Sequence, residues 1–288
     1  MKELIINADD FGLSSGANRG IIRAWQQGIL TSTSLMVGGT AFEEALILAR
    51  ENPGLQVGLH LTLVQGRAVL DRQGFPALVD AGGDFGHDPV LAGMRYFFVK
   101  PLRKRLYAEI EAQIGKCLEA GIDLSHLDGH LNIHMHPVVF DMLCELMPKY
   151  GIKSFRLSRE NLSANLAVDR RRLLGKCADA FIFATLARRC RSRLDRLGIR
   201  YAAEVKGLLN SGRMTENYLL QALDGVGEGL TEIYFHPGCR PCAELDRWMP
   251  DYRHDEELAA LTSAQVAEKM TRLGIRLRNY RGEVKKYV

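Results

Sequence analysis

The stretch "HLDGHLNIHMHP", residues 126–137, places four histidines, an aspartate and an asparagine in twelve positions. Further candidates of the same chemistry fall where apolar runs end: Asp9 and Asp10 after "LIINA", His60 after "QVGL", Asp128 and His130 after "LSHL", and His236 after "EIYF". One carboxylate and two imidazoles from different strands would hold a single divalent ion and leave positions open for water and substrate. Of two neighbouring carboxylates, one can bind a cation while the other draws a proton from an attacking water. The Asp9-Asp10 pair equally suits a turn whose side chains cap backbone amides, and a lone His60 on an apolar strand equally suits a satisfied core position.

Position along a strand narrows the choice. His126, Asp128, His130, Asn132, His134 and His136 share parity, so one continuous strand would line them along one face. Such a strand is too long for the usual five or six residues, and Pro137 suits the first turn of a helix. The strand is therefore expected to end near Gly129. His126 and Asp128 then point toward the interior and His130 sits at the rim, while His134 and His136 belong to the loop and helix entry as supports. Asp9 and Asp10 can both face a site only if their strand has already ended. His236 suits a general acid, with an ordinary pKa near 6.5. Cys239-x-x-Cys242 has no second pair to complete a zinc site. No G-x-G-x-x-G, Walker or G-x-S-x-G pattern is present.

The elements that must carry these residues alternate. "ELIINADD", "TSTSLMVGG", "LQVGLHLTL", "LSHLDGH", "IKSFRLS", "IRYAAEV", "LTEIYFHPG" and "IRLRNYRG" read as strands. Helical patterns lie between most of them, among them "KRLYAEIEAQIGKCLEAGI" and a long stretch from about 167 to 198. Glycine-rich residues 66–100 read as a long insertion loop. Strand-helix alternation without a composition break predicts an α/β fold: one (β/α) barrel-like domain over 1–288, with its site at the carboxyl ends of the strands.

Composition is that of a globular protein, 47% hydrophobic and 25% charged, and a net charge of +4 does not call for nucleic acid. No apolar run reaches a membrane span and the N-terminus has no signal-peptide core, so a cytoplasmic setting is expected, with six reduced cysteines. Residues 169–200 carry ten Lys/Arg against three Asp around the apolar "FIFATLA". That segment, and "YFFVKPLRKR" at 96–105, suit either a solvated helix or contact with an anionic membrane surface.

With "NADDFG", "GLHLTL", "HLDGH" and "HPG" in this order, the sequence resembles the YdjC-type carbohydrate deacetylases over nearly its whole length. That resemblance implies a barrel-like fold, a homodimer, and hydrolysis of the N-acetyl group of an amino sugar. It implies one divalent ion (Zn, Mg, Mn or Co) held by Asp10, His60 and His130, with Asp9 as base and His236 as acid. Asp128, His126 and His134 become residues that orient the ligands or touch substrate. Leu131 and Asn132 stand where many members have histidine. "GLHLTLVQGRAVL", "LVDAGGDF" and "GMRYFFVKPLRKRLYAEIEAQI" resemble most the hopanoid-biosynthesis-associated members, which implies an N-acetylglucosaminyl group on a bacteriohopanetetrol-type lipid. Soluble chitin-type oligosaccharides, a metal-dependent phosphoesterase and a non-catalytic carbohydrate- or lipid-binding barrel are the alternatives.

Overall fold

Leu4, Ile5 and Ile6 are fully buried, and the ten-residue strand β1 (Lys2–Phe11) that carries them is the axis of the sheet. A computed structural model describes residues 1–70 and 78–285 of the chain. On one side β1 pairs with β6 (Gly229–Phe235). On the other it pairs first with β7 (Ile275–Leu277) and then with β2 (Ser32–Leu35). Beyond β2 lie β3 (Gln56–Leu61) and β4 (Leu127–Gly129), and beyond β6 lies β5 (Glu204–Lys206). Every pairing is parallel, which requires crossover connections.

Residues 153–159 span the gap between β4 and β5. Arg156 N–H donates to Leu127 O (3.0 Å), Phe155 N–H to Arg200 O (2.9 Å), and Val205 N–H to Arg159 O (2.9 Å). The sheet thus curls into the barrel-like wall expected from the sequence. The segment "IKSFRLS" forms isolated bridges rather than the expected strand, because it contacts two diverging neighbours and follows neither in register.

Helices cover the outside: α1 (Ser15–Gln27), α2 (Phe42–Glu51), α3 (Pro89–Phe98), α4 (Arg103–Glu119) and α5 (Pro137–Lys149), then α6 (Leu162–Val168) and α7 (Leu173–Leu197). The last four are α8 (Glu216–Ala222), α9 (Ala243–Trp248), α10 (His254–Leu261) and α11 (Ala264–Arg272). Helix α3 corrects the reading of 66–100 as a structureless loop. The Asp88 carboxylate accepts from the N–H groups of Val90 and Leu91, and Pro89 occupies the first turn, so a capped helix starts where glycine content suggested none. Residues 71–77, within that expected loop, lie outside the described residues. The stretch from 167 to 198 is two helices, broken where Arg172 takes a left-handed backbone (φ 55°). Helix α7 then stops at Gly198, whose φ of 66° is the usual C-terminal cap. No helix among the described residues is long and apolar enough to cross a membrane.

Two local features aim the strand ends. The β1–β2 register shifts between Ala8 and Phe11, and Asp10 has a φ of 69°. The condition that both aspartates can face a site only if β1 has ended at them is therefore corrected: the strand runs on to Phe11, and a bulge turns Asp10 to the same side as Asp9. At Gly20, α1 meets the chain just after His236, where an added Cβ would lie 2.6 Å from Gly238 Cα. Gly20→Ala should lower stability by about 1–3 kcal/mol in urea denaturation. Gly227→Ala, where an added Cβ meets open space, should change it little.

Candidate active site

Register brings the candidates together. His60 and Asp128 are partners across β3 and β4. Ala8 and Phe235 are partners across β1 and β6, so Asp9 and His236 follow side by side. After Gly129 the chain leaves the sheet in a 3-10 helix, His130–Met135, whose Leu131 and Asn132 adopt left-handed backbones (φ 50° and 56°). This is the break expected from strand length. It turns His130 inward, toward a cleft of about 360 Å³ lined also by Asp9, His60, His236, Tyr234 and Tyr252.

Asp10, His60 and His130 converge. His130 Nδ1 lies 3.1 Å and His60 Nε2 3.4 Å from Asp10 Oδ1. Ligand atoms of the three side chains all lie within 4.8 Å of one another, and all three residues are buried. Asp10 Oδ2 is buried with no hydrogen-bond partner. The other ring nitrogen of His60 donates to Asp128 Oδ1 (2.8 Å), which fixes the ring and leaves Nε2 toward Asp10. Burial opposes ionisation of Asp10, but the charge and hydrogen bond of His130, with the charges of His60 and His236, hold its carboxyl well below the usual range. Burial likewise opposes a charged His60, yet Asp128, Asp9 and Asp10 outweigh it and raise the imidazole to about 9.

A second set, Asp9, His60 and Asp128, is equally close. Its oxygens are already engaged by Arg156, which sequence reasoning missed. NH1 and NH2 of Arg156 donate to the two Asp9 oxygens (2.8 and 2.7 Å). Its NH2 lies 2.8 Å from Asp128 Oδ2, and its Nε donates to Glu232 Oε1 (2.6 Å). The guanidinium is 1% exposed and lies 4.4 Å from the Tyr234 ring centre. Asn7 adds a donor to Asp9 Oδ1 (2.9 Å), and Ser34 donates to Asp128 Oδ2 (2.6 Å). Burial works against charge on Asp128, but Arg156 and His60 keep its carboxyl well below the ordinary range. The free oxygen is therefore on Asp10, and the first set fits a divalent ion.

The remaining histidines divide. His236 Nε2 is 3.9 Å from Asp9 Oδ2, and its Nδ1, without a hydrogen bond, lies 3.9 Å from Glu257 Oε2. Burial lowers its pKa to about 4 against the pull of Asp10 and Asp9. Its backbone N–H donates to Glu257 Oε2 (2.5 Å), and His254 Nδ1 donates to its carbonyl (2.7 Å), so the strand end is held from two sides. His126 lies behind the site, stacked on Tyr280 at 3.7 Å and joined to Asp128 through Ser34. His134 donates to the Arg156 carbonyl (2.9 Å) and thus positions that residue, not the ion. His136 is outside the cluster, edge-on to Tyr96 and Phe97. Cys239 and Cys242 are half-buried free thiols, with Cys242 packed where α1 lacks a Cβ at Gly16.

Comparison with known proteins bears on this geometry. The family model described as YdjC-like protein matches residues 3–272. A carbohydrate deacetylase of Brevibacillus brevis is 38% identical over 152 residues, 52% of this chain and 57% of that protein. The chain thus matches little more than half the length of that relative. A carbohydrate deacetylase of Geobacillus stearothermophilus is 29% identical over 281 residues, 96% of each chain. A crystal structure from Enterococcus faecalis V583, named for cellobiose-phosphate cleavage, superposes with a TM-score of 0.75 at 28% identity, covering 97% of this chain and 98% of its own.

Replacing Arg156 leaves three buried carboxylates facing one another. Arg156→Leu should therefore cost about 3–5 kcal/mol in urea denaturation, or abolish folding. Loss of no more than a surface substitution's worth would show that the carboxylates do not depend on it.

Proposed function

The chain belongs to the YdjC-like protein family, and from that premise we propose that it is a metal-dependent hydrolase removing the N-acetyl group of an amino sugar. The observation that carries this reading is the unpartnered, buried Asp10 Oδ2 beside His60 and His130, with a separate carboxylate, Asp9, on the wall of the same cleft. A binding protein would need no such second carboxylate, and a two-metal phosphoesterase would need the oxygens that Arg156 already occupies. The names of the relatives from Brevibacillus and Geobacillus point the same way.

Asp10, His60 and His130 would hold the ion. When bound, it supplies Lewis acidity to the acetyl carbonyl and to water. Asp9, oriented by the Arg156 fork and by Asn7, draws the proton from the attacking water. An amine leaves poorly as an anion, so a proton must reach it. His236, kept neutral at rest by burial, takes that proton at Nε2, 3.9 Å from Asp9 Oδ2, and delivers it to the departing nitrogen. Asp128 fixes the His60 ring, His126 supports Asp128 through Ser34, and His134 holds the Arg156 backbone.

The finer substrate reading is the N-acetylglucosaminyl headgroup of a hopanoid lipid, supported by the phrases at 58–70, 78–85 and 93–114. The chain is read as one domain and as a homodimer, in a cytoplasmic setting.

Asp9→Asn should retain the ion by elemental analysis and lose nearly all acetate release. His130→Ala should lose both. Full activity of Asp9→Asn would reject the base. Mass spectrometry on an N-acetylglucosaminyl hopanoid beside chitin oligosaccharides should show loss of one acetyl from the first alone. Deacetylation of the soluble sugars alone would reject the lipid reading, and phosphate rather than acetate release from a test panel would reject the class.

A further inference from the structure

Two helices packed beside the segment that supplies His130 leave large apolar side chains in solvent. Helices α3 and α7 each contact α5 and the 3-10 helix His130–Met135, so they flank the segment that supplies His130. Helix α7 reaches the cleft itself through Asp179 and Phe183, and the 3-10 helix reaches it through Leu131, which is also exposed. On α7, Leu174, Ala178 and Phe181 follow at helical spacing on the outer face, with Leu174 85% and Phe181 74% exposed. On α3, Phe98 is 73% and Val90 69% exposed. Exposed side chains of this size, on two helices packed against the same segment, mark a contact surface.

Charge says what would cover it. Residues 88–105 and 169–200 together hold fifteen Lys/Arg against four Asp, whereas the rest of the chain holds 23 Lys/Arg against 30 Asp/Glu. The chain is thus acidic outside these two segments. A second copy meeting this face about a two-fold axis would set the basic segments against themselves, at a cost in like-charge repulsion. An anionic lipid surface offers an apolar layer for the aromatic and leucine side chains and phosphates for the arginines.

We propose that α3, Leu131 and the first half of α7 rest on an anionic bilayer surface, holding the cleft mouth at the headgroup layer. The contact stands on surface chemistry alone. Its use, delivery of a membrane-borne N-acetyl sugar to the cleft, rests on the deacetylase reading above.

The test is co-sedimentation of the full-length chain with phosphatidylcholine vesicles, with and without phosphatidylglycerol. Wild type should pellet with the anionic vesicles only, and less at high salt. Phe98→Ser/Leu174→Ser/Phe181→Ser should lower the bound fraction about tenfold or more, as should Lys100→Glu/Arg170→Glu. Acetate release from a soluble N-acetyl sugar should be unchanged in both variants. Failure of wild type to pellet, or equal pelleting of the variants, overturns the proposal. So does a triple variant that breaks a dimer in light scattering while still binding vesicles, because the face is then a subunit interface. Vesicle binding as expected with no acetate released from any N-acetyl sugar would remove the deacetylase reading and leave the docking surface standing.

Discussion

One buried guanidinium holds the barrel's interior together. Arg156 meets Asp9 through two bonds and reaches Asp128 and Glu232 as well, all of them almost without exposure. Removing three carboxylates from water is costly unless a cation and further hydrogen bonds compensate. Arginine suits the task because its planar fork presents several donors at once and stays charged when buried. Asn7, Ser32 and Ser34 complete the network from β1 and β2, which is why β2 is a polar strand in a buried position.

That network sorts the acidic residues by what they have left to offer. Asp9 is clamped and oriented, and Asp128 is spent on Arg156, His60 and Ser34. Asp10, turned by the bulge into a left-handed backbone, keeps a buried oxygen without a partner. A non-glycine residue at such φ costs free energy and persists where the surrounding fold enforces it. Here the β1–β2 register shift and the hydrogen bond from Leu13 N–H to the Asp10 carbonyl (3.1 Å) do so. Two adjacent aspartates thus come to serve different purposes.

The positions of most of these residues could be read from the sequence, because strand ends are marked by apolar runs meeting polar clusters. "NADDFG", "GLHLTL", "HLDGH" and "FHPG" each delivered a residue to the cleft, and the length limit on strands placed the break at Gly129. Arg156 escaped because it lies in "IKSFRLS", where, three residues after Lys153, it resembles any surface arginine. Its alternation with the buried Ser154 and Ser158 was the available signal. The bulge escaped because register is a property of pairing, not of one strand's composition. Helix α3 escaped because glycine content outweighed the Asp88-Pro89 start signal, although aspartate at the cap followed by proline was legible.

The clamp on Asp9 and Asp128 leaves one set of free ligands, Asp10, His60 and His130. Anomalous diffraction from a crystal grown with a divalent transition metal tests it most directly. A single strong peak should contact Asp10, His60 and His130, with Arg156 still forked onto Asp9. A peak contacting Asp9 and Asp128, with Arg156 displaced, would contradict it.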